Sequence, residues 1–530
     1  MATDAREGKT RVDQRAIAVI TPFIAAREIL LLRSQAWSEA CFMLWRLGSV
    51  GIAAAVSACA SGPDFRQPAP PSISRLTPQA LSAIAATDGA QQKYVQGLDI
   101  SGQWWTLFRS KALKNLVERA IRDNADLKAG QAALRVAMAN AEAQRGGAFP
   151  LITGDYSGSR QKSPPANSAY TLHTAQVSIS YAPDVFGLNR RQVESLEAQA
   201  EMQNFQLEAT FLTLTSNLVL SAIKEAGLRE QIEATKTIVR LQKETLGLLK
   251  EQLGAGQVTL ADIASQEAAL AQVKQTLPAL EKQLLAERNL MIAMSGHFAG
   301  EGLPERFRFL DLRLPRDLPV SLPSDVVRQR PDVRAAEASL HTATAQVGVA
   351  IANRFPQFNL TANAGTTGAV LSKLASLSSP ASAFWALAAS ASQVLFDGFS
   401  REQRQRAAEA GLDEAAAQYR STVIGAFRNV ADSLQAVEAT ARIMRAAKRG
   451  EAAAKKSVDV TRDQFRFGET STLQLLNAQQ SYLQALLAVA QARANRYANT
   501  VALFQALGGG WWNRSQWGTT RVSHASIMTN

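Results

Sequence analysis

Apolar residues recur at every seventh position along two stretches of the chain, a spacing typical of coiled-coil helices. The recurring residues are Ile232, Val239, Leu246 and Leu253 in the first stretch and Leu476, Leu483, Ala490, Tyr497 and Phe504 in the second. No proline occurs between Phe186 and Gly256, which are 70 positions apart, or between Phe396 and Gly468, which are 72 positions apart. At a rise of about 1.5 Å per residue, these segments predict two helices about 100 Å long.

Each long helix is followed by a shorter return path. After the first, the pattern predicts a helix of about 36 residues over 256–296, a proline-rich break within 302–325 and a further helix over 331–355. In the second half, we expect the return helix, about 472–507, to be continued by one unbroken N-terminal helix over 113–148.

Alternation of apolar and polar residues predicts four strands. They occupy 151–160, 172–183, 357–366 and 384–396. In the second strand Ala175, Val177 and Ile179 share one face, whereas Gln176 and Ser178 share the other. Strands of about ten residues with one apolar and one small or polar face suit an outer-membrane barrel, although a soluble hairpin produces the same pattern.

Matching residues in the two halves indicate an internal duplication. The distance between them grows along the chain from 206 through 210 to 212 positions, as short insertions would produce. The pairs include Asp126 and Asp332, Leu134 and Leu340, Phe149 and Phe355, Phe186 and Phe396, and Gly256 and Gly468. We therefore expect a first repeat, 113–323, that ends in the proline-rich linker, and a second repeat, 324–511.

The N-terminal region resembles a lipoprotein signal peptide. Residues 47–58 are uncharged and end in small residues before Cys59, so that Val56-Ser57-Ala58-Cys59 resembles a lipobox. We expect 1–58 to be a removed signal region, with Met43 as an alternative start, and Cys59 to carry a covalent lipid at the head of a segment 59–112. By the same resemblance, Ala60 instead of Asp after the cysteine favours the outer over the inner membrane. The alternative is a stray cysteine after a short apolar helix.

Composition and chemistry change this picture little. The 530 residues carry a net charge of +12 without basic blocks, so no nucleic-acid partner is expected. The histidines are His173, His297, His341 and His524, and none has a second histidine or a cysteine three or four residues away. We therefore expect no metal, no cofactor besides the lipid, and no enzyme activity. The tail 512–530 has no assigned role.

Closure of the strands requires more than one chain. Four strands leave two unpaired edges, which lipid cannot satisfy, and the smallest transmembrane barrels need about eight strands. Two copies of the chain would supply eight strands and three would supply twelve, and this arithmetic does not choose between them.

Several motifs, in order, resemble the outer-membrane factor family of tripartite efflux pumps. They are Gly62-Pro63-Asp64-Phe65, Trp104-Trp105-x-x-Phe108, Val185-Phe186-Gly187, Arg330-Pro331-Asp332-Val333, Leu395-Phe396-Asp397-Gly398 and Ala506-Leu507-Gly508-Gly509-Gly510-Trp511. The resemblance implies an α+β membrane protein, in which a long α-helical coiled-coil barrel is joined to a transmembrane β-barrel with four strands per chain.

What the resemblance implies about function is a homotrimeric exit duct. The duct would conduct drugs or other small molecules passively from a periplasmic adaptor protein and an inner-membrane transporter across the periplasm and the outer membrane. It would be anchored by its lipid and extend into the periplasm. Two other classes stay open, namely a periplasmic coiled-coil lipoprotein that acts as an adaptor and one with a structural role.

By the same resemblance, adaptors dock at the two turns that follow the long helices, around 254–260 and 467–473. The candidate docking residues are Gly254, Gly256, Gln257, Val258, Thr259, Gly468, Glu469, Thr470 and Ser471. A plain turn between two antiparallel helices is the competing interpretation for either segment.

The gate candidates are Asp262, Gln474 and Asn477. Many relatives carry Asp-x-x-Asp after the second turn, whereas this chain has the amides Gln474 and Asn477 in those positions. Amides hydrogen-bond without charge, so we predict a weaker dependence of gating on cations. Asp262, in the equivalent position of the first copy, could supply one acidic ring or simply be a solvated carboxylate at a helix start.

Overall fold

The computed structural model describes residues 61–72, 92–162, 169–320, 323–371 and 383–514. The predicted signal region, Cys59 and residues 515–530 lie outside the described residues. The chain divides into two compact units. The strand unit comprises the described residues of 1–62, 148–191 and 351–397, and the helical unit comprises the other described residues.

Eight α-helices lie in the described residues. They are α1 (Lys111–Asp123), α2 (Ala125–Gly146), α3 (Leu188–Gly254), α4 (Leu260–Met294), α5 (Pro323–Gln329), α6 (Pro331–Ala352), α7 (Ser400–Arg466) and α8 (Thr472–Ala506). Helices α3 and α7 have 67 residues each, and α4 and α8 have 35 each. Among the described residues, no helix combines the length and the hydropathy needed to cross a membrane.

The two long helices and their return helices confirm the pattern predicted from apolar spacing. Each long helix is about 100 Å long at the usual rise per residue. Of the heptad positions, Ile232, Val239, Ala490 and Phe504 are buried, and the other five are partly buried. The seven-residue spacing therefore marks the side of each helix that packs against its neighbours.

The prediction of one unbroken N-terminal helix is wrong, because Asn124 divides it into α1 and α2. The Asn124 side-chain oxygen accepts a hydrogen bond from the Leu127 N–H at 2.9 Å and so caps α2. Its amide nitrogen donates to the Met294 carbonyl oxygen at the same distance. The side-chain oxygen and nitrogen of Asn124 thus each have a backbone partner. These two hydrogen bonds favour a non-helical backbone at Asn124 and interrupt the helix.

A short parallel sheet in the helical unit was not predicted. Its two strands are β1 (Lys93–Gln96) and β4 (Asp317–Val320), and Lys93 Nζ lies 3.3 Å from Asp317 Oδ1. Each strand has only four residues, too few to show a period of two. The paired strands hold the proline-rich segment against a part of the chain more than 200 residues earlier.

Aromatic residues form the centre of the core of the helical unit. A 3₁₀ helix, Trp104–Phe108, buries both of its terminal residues. The Trp104 ring stacks on Phe504 with centroids 5.6 Å apart, and the Phe108 ring lies 6.2 Å from that of Tyr497. The Trp-Trp-x-x-Phe motif therefore joins the N-terminal segment to α8 by burial of apolar surface.

The strand unit contains the four predicted strands in one antiparallel sheet, ordered β2-β3-β5-β6. They are β2 (Leu151–Lys162), β3 (Ala169–Tyr181), β5 (Gln357–Gly368) and β6 (Ala383–Ser392). Among the described residues, the outer strands β2 and β6 pair on one side only. Their remaining backbone groups are available to another chain.

Candidate functional site

Helices α3 and α4 are joined by residues 255–259, which we call the first tip. Gly256 has a φ angle of +70°, a left-handed conformation that only glycine adopts readily. Its N–H donates to the Leu253 carbonyl, and the Gln257 N–H donates to the Gln252 carbonyl, both at 2.9 Å. This pair of bonds is a Schellman motif, which satisfies carbonyl groups at the end of α3.

Helix α4 begins with a reciprocal capping box. The Thr259 hydroxyl oxygen accepts from the Asp262 N–H at 3.3 Å, and an Asp262 carboxylate oxygen accepts from the Thr259 N–H at 2.9 Å. Hydrogen bonds from the Thr259 side chain and backbone lower the pKa of Asp262. Asp262 is therefore an ionised cap at the start of α4.

The second tip, residues 467–471, joins α7 to α8 with the same backbone geometry. Gly468 has a φ angle of +76°. Its N–H donates to the Phe465 carbonyl at 3.1 Å, and the Glu469 N–H donates to the Gln464 carbonyl at 2.9 Å. The prediction that glycine reverses the chain here is confirmed at both tips.

The start of α8 differs from that of α4 in its capping chemistry. Ser471 Oγ accepts from the Gln474 N–H at 3.4 Å, and the Thr470 hydroxyl donates to the Gln474 side-chain oxygen. A neutral amide thus stands where Asp262 places a carboxylate at the first tip.

The two tips form a single site, because four helices share one apolar cluster beneath them. The cluster consists of Leu249 of α3, Ile263 of α4, Phe465 of α7 and Leu475 of α8, and Val258 packs against it. Each helix contributes one buried residue, so burial of this cluster holds the first tip beside the second. The sequence pattern placed both tips at helix ends but did not pair them.

Two buried glutamines link the helices next to this cluster, on the side away from the tips. The Gln479 amide of α8 donates to the Thr245 hydroxyl of α3 at 2.9 Å, and the Gln266 amide of α4 donates to the Gln242 carbonyl at 3.1 Å. Hydrogen bonds in a dry interface are directional, and they select one register of the packed helices.

Three large apolar side chains at the tips are exposed instead of joining the cluster. Phe467 is 81% exposed, Leu260 is 73% exposed and Leu473 is 65% exposed. Exposed apolar groups that cluster on a folded surface mark contact sites for other molecules. These residues stand at the ends of the predicted docking segments, but apolar character alone did not distinguish them from core residues.

The other predicted site residues take distinct positions at the tips. Gly254 is the exposed last residue of α3, Gln257 and Glu469 are exposed, and Val258 and Thr470 are partly buried. Gln474 and Asn477 are both exposed and lie one helical turn apart on α8. The structure therefore brings the docking candidates and the gate candidates together at one end of the helical unit.

The sheet of the strand unit has one apolar and one polar face. Strand register places Ile152, Ile179, Ala362 and Leu387 in one row across the sheet, and it places Thr153, Ser178, Asn363 and Ala386 in the next row. On the polar face, the Ser178 hydroxyl donates to an Asp155 carboxylate oxygen at 3.1 Å. On the apolar face Trp385 is 80% exposed and Leu387 is 76% exposed.

The described chain begins in the strand unit, two residues after Cys59. The Ser61 N–H donates to the Phe186 carbonyl at 3.3 Å, and Arg191 Nε donates to the Ser61 carbonyl at 3.1 Å. Arg191 is buried, and it also donates to the Gly62 carbonyl. The segment that begins two residues after the predicted lipobox is therefore fixed to the strand unit.

Metal ligands do not cluster in the described part of the chain, where no group of three or more His, Cys, Asp or Glu side chains is placed to hold an ion. His341 lies on α6, with Nε2 at 3.0 Å from a Glu194 carboxylate oxygen and its ring stacked on Phe65.

Comparison with known sequences relates both halves of the chain to one family. The profile of the family described as Outer membrane efflux protein matches residues 116–297 and 322–509. Nodulation protein T of Rhizobium leguminosarum bv. trifolii is 25% identical over 463 residues, which cover 86% of this chain and 95% of that protein. Cation efflux system protein CusC of Escherichia coli O6:H1 is 25% identical over 468 residues, which cover 87% and 97%.

Comparison with solved structures gives the same result. The outer-membrane channel OprN is 28% identical and has a TM-score of 0.75, and the match covers 86% of this chain and all of that one. The matches extend over the strands as well as the helices, so they favour the channel over an adaptor or a structural lipoprotein. The chain therefore belongs to the outer membrane efflux protein family.

Proposed function

We propose that the chain is the exit duct of a tripartite efflux system and works as a homotrimer with a periplasmic adaptor and an inner-membrane transporter. Efflux through the outer membrane is the function of its family. The observation that carries the more detailed proposal is the four-stranded sheet, which exposes an apolar face and has two open outer edges. A closed barrel of several chains would place the apolar face against lipid and pair both outer edges.

Closure by three copies gives twelve strands, with the row of Leu387 facing lipid and the row of Ser178 facing the lumen. Lipid cannot hydrogen-bond the free edges of β2 and β6, so a spanning sheet must close on itself. The equal lengths of α3 and α7, and of α4 and α8, support two copies of one unit in each chain. Three chains then supply six long helices and their return helices around one tunnel.

Conduction by the purified protein tests the proposal. In detergent we expect a particle of three chains, and in a planar bilayer we expect a steady current. Leu387→Arg should prevent insertion, because a charge facing lipid near the bilayer centre costs about 2–4 kcal/mol per chain. Ala388→Arg, one residue away on the polar face, is the matched control.

The control variant should insert and conduct. A monomer that carries no current would contradict the channel. Equal loss of insertion in the two variants would contradict the assignment of the lipid face.

Cys59 is the proposed lipid anchor. Its distance of two residues from Ser61, which is hydrogen-bonded in the strand unit, supports an acyl chain beside the sheet. Cells fed labelled palmitate should label the wild type and Cys41→Ala but not Cys59→Ala. Label retained in Cys59→Ala would refute lipidation at this residue.

The two tips are the proposed adaptor-docking surface. The exposed side chains of Phe467, Leu260 and Leu473 flank two turns whose backbone is fixed by Schellman motifs, which suits apolar contact with a partner at little entropic cost. The docking candidates from Gly254 to Thr259 and from Gly468 to Ser471 belong to these turns.

Substitution at Phe467 separates docking from folding. Phe467→Asp should reduce dye export from cells about tenfold or more, because loss of a large buried apolar contact costs roughly 2 kcal/mol. Phe467→Leu keeps an apolar side chain and should retain most of the export. Current in planar bilayers should be unchanged in both variants. Export by Phe467→Asp at the wild-type level would rule out a docking role for this residue.

Asp262, Gln474 and Asn477 are the proposed gate residues, and only Asp262 carries charge. Since hydrogen bonds lower its pKa, Asp262 stabilises the tip fully above about pH 4, the ordinary value for Asp. This contribution is lost only as the pH falls through the lowered pKa. The proposed gate is therefore insensitive to pH across the neutral range.

We expect divalent cations on the periplasmic side to block the wild-type current weakly. The double variant Gln474→Asp with Asn477→Asp adds two carboxylates per chain and should lower the blocking concentration about tenfold. Gln403→Asp with Gln418→Asp is the matched control, because it adds the same charge at exposed positions of α7 that lie far from the second tip.

The control variant should be blocked at the same cation concentration as the wild type. Strong block of the wild type would overturn the proposed gate, and so would an equal change in both double variants.

A further inference from the structure

The helical unit contains a cavity of about 570 Å³ that none of the roles above uses. Its walls come from the segment around residues 98–109, the linker 312–319 and helix α8, with Met444 of α7 on one side. A cavity of this size is large enough for a small molecule. It lies away from both tips, so it belongs to neither the docking surface nor the gate.

Charge on the cavity wall is strongly unbalanced. The lining includes five arginines, which are Arg109, Arg313, Arg316, Arg493 and Arg496, but only two carboxylates, Asp99 and Asp317. The lining therefore carries an excess of three positive charges. Such an excess in a concave site with apolar walls attracts anions.

Both carboxylates are already engaged by other groups. Asp99 accepts hydrogen bonds from Trp512 Nε1 at 3.0 Å and from Asn513 Nδ2 at 2.6 Å. Asp317 lies 3.3 Å from the Lys93 ammonium group. Both carboxylates therefore have partners other than the arginines of the cavity.

The arginines fall into a pair held by other side chains and an exposed group. Arg493 is partly buried and forms an ion pair with Glu230 at 2.5 Å. Arg496 is buried, with Nε donating to the Gln92 side-chain oxygen at 3.2 Å. Arg109, Arg313 and Arg316 are exposed. The exposed group can move onto a ligand, whereas Arg493 and Arg496 are held in place.

The same arginines act on a neighbouring lysine. Burial, followed by Arg493 and Arg496, lowers the pKa of Lys448, whereas Glu451 raises it, and Lys448 lies one turn beyond Met444 on α7. Burial also lowers the pKa of Arg496. An anion in the cavity would offset the repulsion among these cations.

Backbone strain occurs at the same wall. Arg109 has a φ angle of 51° and a ψ angle of 34°, which places it in the left-handed region. Residues other than glycine, asparagine and aspartate rarely adopt this conformation, and it concentrates at binding sites. The linker is tied to this turn, because the Arg313 N–H donates to the Phe108 carbonyl at 2.8 Å.

We propose that this cavity is a binding site for a small anion that carries carboxylate or phosphate groups. The guanidinium groups of Arg313 and Arg316 match the paired oxygens of either group and would bind them by charge-assisted hydrogen bonds. Apolar residues of the wall, such as Leu107 and Leu312, suit a ligand with an apolar portion. The site is independent of conduction through the channel.

Titration of the purified full-length protein tests the site. Thermal unfolding is followed with citrate as the carboxylate probe and inorganic phosphate as the phosphate probe, at constant ionic strength. We expect saturable stabilisation by at least one probe. The double variant Arg313→Gln with Arg316→Gln should weaken that binding about tenfold or more, because two charge-assisted contacts are lost.

Arg306→Gln is the matched control, since Arg306 is an exposed arginine of the same proline-rich segment, 302–325, and does not line the cavity. It should bind within about twofold of the wild type. Stabilisation by citrate alone identifies a carboxylate ligand, and stabilisation by phosphate alone identifies a phosphate ligand. Equal affinity in all three proteins, or no saturation up to about 10 mM, would overturn the proposal. Currents in planar bilayers report the channel separately.

Discussion

Burial of a narrow apolar seam along two helices of 67 residues is the constraint on which the rest of the helical unit depends. A helix of this length gains most of its stability from packing, because its backbone hydrogen bonds exchange for bonds to water. The seam must be covered along its length, which requires return helices such as α8, packed along α7. The reversals of the chain at Gly256 and Gly468 follow from this requirement.

The chain reverses with its polar groups satisfied and some of its apolar groups exposed. Schellman bonds at Gly256 and Gly468 and caps at Thr259 and Ser471 pair the backbone groups of the helix ends. The shared cluster around Leu249 buries the last turns of the seam, whereas Phe467 stays in solvent. A rigid turn that displays an apolar side chain is well suited to bind a partner.

The strand unit is subject to a different constraint, because one face of its sheet is apolar and the other is polar. A period of two puts Ile179 on one face and Ser178 on the other, and the pairing register carries this division across all four strands. The exposed apolar face and the open edges of β2 and β6 are both costly for a single chain in water. The proposed assembly of several chains in a membrane would remove both costs.

Local and repeated signals in the amino-acid sequence were enough to define most elements of this protein. Seven-residue spacing located the long helices, alternation located the four strands, and glycine located both tips. Features that depend on distant partners became visible only in the folded chain. Asn124 breaks the first helix because its amide meets Met294, and β1 forms because it meets β4. The arginines around the cavity converge from segments that are hundreds of residues apart, and no local pattern records such a meeting.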